Sequence, residues 1–282
     1  MFFAIILKGS KTITGSYIMT VKDENRRRII DIYMKNVHGN KPDTSSYTSD
    51  HDGREGHWLE NKMGIAHNAS NNPDLFDHEM KNATASKTSY GDWSADYYIF
   101  KDTGYETFRG KDNLAARDRF MEIFGHPSTN HEGKYSWSGK PIPKINQVNS
   151  FGQELIIDDA NNVVIRYFFS KDIRDDKNVL IPSEFQKEGL VIARWDADSL
   201  KKKVENKFNQ SGWFKCIKNR EGAYELIVFG DPMDYDTWLQ HVRNGDIFFD
   251  SGMHQGNVRP YSQWRASNSF WEKLVTDRYP DI

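Results

Sequence analysis

Cysteine is almost missing from this sequence, with Cys216 the single example among 282 residues. One thiol cannot form an internal disulfide, and it excludes a metal site built from several cysteines. This composition favours a reducing compartment. We therefore expect a cytoplasmic protein in which Cys216 is a small buried side chain and has no catalytic role.

Long hydrophobic runs are absent as well. The apolar run near the N-terminus, residues 2–7, is far too short to cross a bilayer and lacks the basic flank of a signal peptide. Residues 1–18 are a possible N-terminal extension, because translation could start at Met19. The alternative is that residues 2–7 form an extra strand. In either case we expect no contact with a membrane.

Strong net charge and phosphate-binding loops are also lacking. The formal net charge of −2 excludes a general polycation such as a chromatin protein, although a locally basic cleft remains compatible with it. The absence of a glycine-rich phosphate loop argues against chemistry driven by nucleoside triphosphates. His57, His67 and His78 lack the helical i, i+4 spacing of a zinc site.

The pattern of apolar residues predicts a mixed α/β protein. Helices are predicted over residues 25–36, 56–63, 113–124, 198–208, 235–243 and 269–277, and strands over residues 94–101, 154–157, 163–169, 190–195 and 224–229. The stretch 125–150 is rich in Gly, Pro, Ser and Asn, which makes it the best candidate for a boundary between two lobes. A single domain is the alternative.

Four ionisable residues gather in the segment that contains "GHWLENKMGI" and "PDLFDHEMK": Glu60, Asp74, Glu79 and Lys81. In a strand, side chains two positions apart face the same way, so Glu79 and Lys81 would point into one space while Met80 returns to the core. A bend at residues 76–78 would bring Asp74 beside Glu79. The segment therefore predicts two converging carboxylates with a lysine next to them.

This set of groups suits the hydrolysis of phosphodiesters. Two carboxylates and a backbone carbonyl, that of Met80, are oxygen ligands of the kind that Mg²⁺ prefers. A metal ion there would stabilise an attacking hydroxide, while Lys81 orients the water or offsets negative charge. Glu60, from the preceding helix, would hold metal-bound water or join as an outer ligand. The string D-x₄-E-x-K also arises by chance in surface loops, so its context decides.

That context resembles a nuclease family. "PDLFDHEMK" resembles the PD-(D/E)XK signature, and "GHWLENKMGI" is similar to the Gly-x-x-Leu-Glu helix that precedes it in the MutH, MvaI and BcnI group. The resemblance implies a restriction-endonuclease-like α/β core with a mixed sheet and a second, DNA-recognition lobe around one cleft. It implies catalytic roles for Glu60, Asp74, Glu79 and Lys81. "NATASKTSYGDW" is similar to the Lys-Ser/Thr segment that follows, with Lys87 as a phosphate contact.

A second resemblance lies near the C-terminus. "DIFFDSGMHQGNVRPYSQWRAS" resembles the strand, loop and strand with which MvaI- and BcnI-type enzymes read base edges. It implies DNA contacts from His254, Asn257, Arg259, Gln263 and Arg265, because Arg matches guanine O6 and N7 and amides match adenine or cytosine edges. Gln263 stands where those enzymes carry His. The layout therefore looks closer to LlaMI-type enzymes, which act on a CCNGG-like site.

These resemblances imply an Mg²⁺-dependent type II restriction endonuclease that cuts double-stranded DNA at a short, possibly CCNGG-like, sequence. Residues 19–150 would be mainly a catalytic lobe and residues 151–282 mainly a DNA-recognition lobe. We expect a monomer or a homodimer, with a cognate DNA methyltransferase in the same system. Two alternatives remain open from the sequence: a MutH-like nicking endonuclease of mismatch repair, and a DNA-binding protein that no longer cleaves.

Overall fold

The computed structural model describes residues 21–45, 53–66, 71–82, 86–129 and 132–280. Within them the helices are α1 (Val21–Asn36), α2 (Arg54–Met63), α3 (Asn113–Phe124), α4 (Lys177–Leu180), α5 (Ala197–Phe208), α6 (Tyr235–Arg243) and α7 (Asn268–Lys273). The strands are β1 (Glu79–Lys81), β2 (Lys87–Asp92), β3 (Tyr97–Tyr98), β4 (His126–Pro127), β5 (Tyr135–Trp137), β6 (Phe151–Ile157), β7 (Val163–Asp172), β8 (Leu190–Trp195), β9 (Trp213–Lys218), β10 (Tyr224–Gly230), β11 (Ile247–Ser251), β12 (Met253–His254), β13 (Ser262–Ser267) and β14 (Val275–Tyr279).

The strands form four small sheets. Sheet A has the order β1-β9-β10-β14, sheet B β11-β13-β2, sheet C β12-β5-β4, and sheet D β3-β8-β7-β6. In sheet A, β1 runs parallel to β9, so a strand early in the chain pairs with one from its second half. In sheet B, β2 likewise pairs antiparallel with the late strand β13. The early and late parts of the chain are therefore joined through two sheets.

Two apolar cores hold these sheets in place. In the smaller core, side chains of α1 and α2, such as Ile29 and Leu59, pack with Met80 and Phe214 from one face of sheet A. The larger core contains the opposite face of sheet A and most of sheets B and D. It encloses six fully buried tryptophans: Trp137, Trp195, Trp213, Trp238, Trp264 and Trp271. Aromatic rings of this size contribute much of the apolar area that folding removes from water.

Most of the predicted elements agree with the structure, and the predicted α/β mixture is confirmed. Helix α3 has the predicted bounds, and α2 ends at Gly64, which adopts the left-handed conformation that favours glycine (φ 77°). Two predictions are wrong. Residues 94–101 contain only the two-residue strand β3 followed by a 3₁₀ turn, Ile99–Lys101, and the predicted helix 269–277 ends at Lys273, after which the chain continues as β14.

Residues from both predicted lobes pack in one apolar core. Phe120 and Trp137, from before residue 150, lie in the same core as Trp195 and Trp264, from after it. The stretch 125–150 also contributes β4 and β5 to sheet C. The lobe boundary at residue 150 stays a prediction, and the possible extension 1–18 lies outside the described residues. No helix within the described ranges is long and apolar enough to cross a membrane.

Gly212 fixes the start of β9 against β1. Its φ of +102° is one that other residues rarely adopt, and its carbonyl accepts a hydrogen bond from the Glu79 amide at 3.0 Å. A Cβ at this position would collide with the backbone carbonyl oxygen of Gly230. Glycine is therefore required both by conformation and by space.

We expect Gly212→Ala to lower the free energy of unfolding by more than about 2 kcal/mol, because backbone strain adds to a backbone collision. Gly222→Ala is the matched control: its φ is +86°, but a Cβ there would have open space around it. The control should lose only about 1–2 kcal/mol, the strain alone. Urea unfolding of both variants measures the difference, and equal losses would contradict the collision.

Candidate active site

A tight turn brings Asp74 to the start of β1. Leu75 and His78 exchange two backbone hydrogen bonds, at 3.0 and 2.9 Å, across Phe76 and Asp77. Both central residues have positive φ (46° and 60°), the conformation of a two-residue hairpin turn that matches the twist of the flanking strands. The predicted bend is therefore present. It reverses the chain, so that Asp74 lies beside the first residues of β1.

Strand β1 presents its side chains on alternate faces, as the sequence predicts. The Glu79 amide bonds to β9 through Gly212, whereas the Met80 amide points the other way and donates to Asp74 Oδ2 at 2.9 Å. In a strand the N–H and C=O of one residue point to the same side, so the Met80 carbonyl also faces the side of Asp74. The Met80 side chain lies in the smaller core, on the face opposite Glu79 and Lys81.

Lys81 is buried and closely surrounded. Its Nζ lies 2.7 Å from Glu79 Oε1, donates to the Tyr90 carbonyl at 3.2 Å, and sits 5.0 Å from the centre of the Phe208 ring. Burial lowers the pKa of the Lys81 ammonium, Glu79 opposes that shift, and the nearby Lys207 adds to it. Lys81 is thus held at one place by an anion, a carbonyl and an aromatic face.

The carboxylates of Asp74, which is half-buried, and Glu79, which is buried, repel each other. Burial, and then repulsion from Glu79, raises the pKa of Asp74 to about 6, although Lys81 and the Met80 amide act in the opposite direction. Glu79 is only 2% exposed, and within the described residues its Oε2 is buried with no hydrogen-bond partner. A buried, unpartnered carboxylate oxygen is unfavourable unless a ligand satisfies it.

These groups fit a divalent cation with hard oxygen ligands. Asp74 and the Met80 carbonyl face the same edge of β1, and Glu79 Oε2 is buried on the same strand. A positive ion held by these oxygens would relieve the repulsion between the carboxylates. Among the described residues, no group of three or more His, Cys, Asp or Glu side chains forms a metal cluster. Two carboxylates and one carbonyl suit Mg²⁺, which usually binds one or two carboxylates and keeps several waters.

Two further lysines reach this site, and the sequence analysis missed both. Lys207, from the end of α5, lies 3.0 Å from Glu79 Oε1. Lys215 is the β9 residue in register with Lys81, and its Nζ donates to Thr88 Oγ1 at 3.4 Å. Lys215 could have been predicted from its place in the apolar run "WFKCI", because a lysine in a buried strand is almost always paired with another group. Nothing local in the sequence marks Lys207.

Glu60, the fourth predicted catalytic residue, is half-buried in α2. The neighbouring Leu59 and Met63 anchor this helix in the smaller core, which also contains Met80. The Glu60 carbonyl accepts the Ile65 amide at 2.9 Å in the turn that ends the helix. α2 therefore packs against the face of sheet A that carries Met80, while the contribution of the Glu60 carboxylate to the site stays a prediction.

The predicted DNA-reading residues are on or beside sheet B. In β13, Gln263 and Arg265 are half-buried on one face while Ser262, Trp264 and Ala266 are buried on the other. Across the sheet, Asp250 of β11 pairs with Lys87 of β2, and its Oδ2 lies 3.2 Å from Arg265 Nε. Arg265 Nε also donates to Gln263 Oε1 at 2.8 Å.

The other three residues of this prediction are His254, at the end of β12, and Asn257 and Arg259, in the loop between β12 and β13. Arg259 is 59% exposed and pairs with Asp92 at 2.8 Å. Asn257 is buried: its Oδ1 accepts the His254 amide at 2.7 Å, and its Nδ2 lies 3.1 Å from His254 Nε2. In this conformation Asn257 shapes the loop, and Arg259 is the exposed charged group.

Comparisons with known proteins agree with this architecture. A family model described as LlaMI restriction endonuclease matches residues 37–279. The Type II restriction enzyme ScrFI of Lactococcus lactis subsp. cremoris is 46% identical over 265 residues, a match that covers 90% of this chain and 98% of that protein.

A similar fold occurs in the restriction endonuclease MvaI bound to its cognate DNA substrate. That structure matches with a TM-score of 0.55 and 13% sequence identity, and the match covers 91% of this chain and 96% of MvaI. At this identity the likeness concerns the fold alone. It confirms the predicted restriction-endonuclease-like architecture.

The raised pKa of Asp74 makes a prediction about stability. A carboxyl whose folded pKa, about 6, lies above its ordinary value of 3.8 destabilises the fold as the pH rises from about 4 to 6, and the full penalty remains above that range. Asp74→Asn removes the charge and keeps an oxygen for the Met80 amide. In metal-free protein at pH 8 we expect this variant to be more stable by about 1–3 kcal/mol.

The gain should shrink to roughly a third at pH 4.5, where wild-type Asp74 is already largely protonated in the folded state. Urea unfolding in the presence of a chelator, at both pH values, measures it. The exposed Asp236→Asn in α6 is the control and should change stability little. A destabilised Asp74→Asn at pH 8 would contradict the proposed repulsion.

Proposed function

The chain belongs to the LlaMI restriction endonuclease family and is a type II site-specific deoxyribonuclease, and from this premise we propose that it hydrolyses double-stranded DNA with Mg²⁺ at Asp74, Glu79 and the Met80 carbonyl. The single observation that carries the metal assignment is the buried, unpartnered Oε2 of Glu79, together with the raised pKa of the neighbouring Asp74 carboxyl. Both features are unfavourable in the protein alone, and a divalent cation removes both.

When bound, the cation would stabilise negative charge on the phosphate and make the attacking water easier to deprotonate. Asp74 and Glu79 would hold it at the edge of β1. Lys81 would bind the attacking water or a phosphate oxygen through its Nζ, which Glu79 and the Tyr90 carbonyl already fix in place. Its lowered pKa suits a group that passes a proton to or from water.

In the reaction, the oxygen of the attacking water bonds to phosphorus while one P–O ester bond breaks. The water loses a proton, and the departing DNA oxygen gains one from solvent. Glu60 would orient water at the site from α2, as the motif resemblance implies. Burial of Glu79 and Lys81 keeps bulk water away from the charged groups and strengthens their electrostatic effect on the transition state.

We assign base reading to the polar face of sheet B and to its adjoining loop. Arg265 and Gln263 would contact base edges, with Arg259 from the loop and His254 from the end of β12, while Lys87 would bind a phosphate. Asp250 is the counter-ion that holds Lys87 and Arg265 in the protein without DNA. A CCNGG-like target suits guanine-binding arginines, and Asn257 would support the chain at His254.

The remaining features of the system follow from this function. An enzyme that cuts specific sites in DNA requires protection of the host genome, so we propose a cognate DNA methyltransferase in the same system. The same requirement places the enzyme in the cytoplasm with the DNA it surveys. It acts as a monomer or a homodimer, which sedimentation with and without DNA would distinguish.

We expect the wild type to cut unmethylated phage DNA into discrete fragments with Mg²⁺ and to stop when a chelator is added. Lys81→Ala and Glu79→Gln should each lower the cleavage rate by about 10²–10³-fold or more, because each removes a charged group at the reacting phosphate. Gel analysis and sequencing of the fragment ends measure the rate, the target and the cut position.

Lys171→Ala, which removes an exposed lysine of β7, is the matched control and should cleave like the wild type. Discrete cleavage that survives Glu79→Gln would contradict the proposed metal site. Accumulation of nicked circles without linear product would indicate a strand-nicking enzyme instead.

A second prediction separates base reading from phosphate binding. Arg265→Ala should lose about 1–3 kcal/mol of discrimination between target and unrelated duplexes. Lys87→Ala should weaken binding to both duplexes alike and reduce the salt slope of binding by about 1. Competition binding in Ca²⁺ at several salt concentrations measures both. Equal effects of the two variants on specificity would contradict the assignment of base reading to Arg265 and phosphate binding to Lys87.

A further inference from the structure

Lys207, like Lys215, comes from outside the motif, and it contacts Glu79 directly. It is the penultimate residue of α5, and its Nζ lies 3.0 Å from Glu79 Oε1. The same oxygen accepts Lys81 Nζ at 2.7 Å. The Lys207 side chain is 16% exposed, whereas that of Glu79 is 3% exposed. One buried carboxylate oxygen thus has two ammonium groups on it.

The end of α5 is fixed firmly at this place. Phe208, the next residue, is fully buried in the larger core. Its ring lies 5.1 Å from that of Tyr90 and 5.0 Å from Lys81 Nζ. The backbone of Lys207 therefore cannot move far from Glu79, whereas its side chain is a flexible four-carbon stem with a compact charge at its end.

The distribution of contacts on Glu79 is uneven. Both lysines are on Oε1, while Oε2 has no hydrogen-bond partner within the described parts of the chain. Lys81, which the Tyr90 carbonyl fixes in place, would be a sufficient counter-ion for Oε1 by itself. The ammonium of Lys207 therefore exceeds what the Glu79 carboxylate needs for hydrogen bonding. The Lys207 charge matters most while no other cation is bound to Glu79.

On this basis, and resting on the function proposed above, we propose that Lys207 is a further residue of the active site that moves between two anions: Glu79 in the metal-free protein and the scissile phosphate in the loaded complex. A divalent cation held by Glu79 would repel an ammonium 3.0 Å from the same carboxylate. The displaced ammonium would then pair with the DNA phosphate that the active site binds. Lys207 would thus stabilise Glu79 in the metal-free protein and the charge on the phosphate in the complex.

This role predicts opposite effects of one substitution. Lys207→Met keeps the length and apolar stem of the side chain but removes its charge. Mn²⁺ binding without DNA should become about fivefold to tenfold tighter, because the competing cation is gone. Single-turnover cleavage of the target duplex should become at least about tenfold slower, because a phosphate contact is lost. If Lys207 had only a structural role, its replacement by Met would not tighten Mn²⁺ binding.

Electron paramagnetic resonance of free Mn²⁺ measures the binding, and thermal unfolding shows whether each variant is folded. Lys207→Arg retains the charge and should bind Mn²⁺ like the wild type. Lys202→Met, an exposed position of the same helix, controls for loss of a lysine and should change neither quantity. Unchanged or weaker Mn²⁺ binding in a folded Lys207→Met, or cleavage at the wild-type rate, would overturn the role of Lys207.

Glu79→Gln separates this proposal from the function on which it rests. If Glu79→Gln binds Mn²⁺ as well as the wild type does, the metal assignment itself fails, and the role of Lys207 fails with it. If Glu79→Gln loses Mn²⁺ binding while Lys207→Met shows no gain, the metal site stands and only the role of Lys207 is wrong.

Discussion

The burial of Glu79 is the constraint on which the rest of the site depends. Removing a carboxylate from water costs several kcal/mol unless charged and hydrogen-bonding partners replace the solvent. Lys81 and Lys207 supply the charges, and Gly212 supplies a backbone acceptor for the Glu79 amide. Lys81 belongs to β1 like Glu79 itself, whereas Lys207 and Gly212 come from the distant segment that contains the end of α5 and the start of β9. The parallel pairing of β1 with β9 and the packing of α5 are thus requirements for the burial of Glu79 as well as for the fold.

The sequence predicted those parts of the site that are local. The alternation of Glu79, Met80 and Lys81 follows from the geometry of any strand, and the turn that returns Asp74 needs only a few residues. Lys207 and Lys215 could not be found in this way, because they reach the site through helix packing and strand pairing between distant segments. Local periodicity carries no information about such partners. Only the fold brings them together.

The errors in the predicted elements have the same origin. The segment 94–101 has the aromatic and β-branched composition of a strand, yet Ile99 and Phe100 turn into the larger core as a 3₁₀ turn. The C-terminal segment continues as β14 because the edge of β10 offers backbone partners to residues 275–279. In both places tertiary contacts outweigh local propensity, which is a weak preference for short segments. The long helices α3, α5 and α6 were predicted well because several turns share one apolar face.

Strand β2 contacts both the proposed catalytic residues and the proposed base-reading residues. Its carbonyl at Tyr90 accepts Lys81 Nζ, and its pairing with β13 places it beside Arg265 and Gln263. Lys87, at the start of the same strand, shares Asp250 with Arg265. Under the proposed function, DNA would replace Asp250 as the partner of both cations. Because β2 carries Lys87 and also the Tyr90 carbonyl that positions Lys81, the proposed DNA contacts and the proposed cleavage site depend on the same strand.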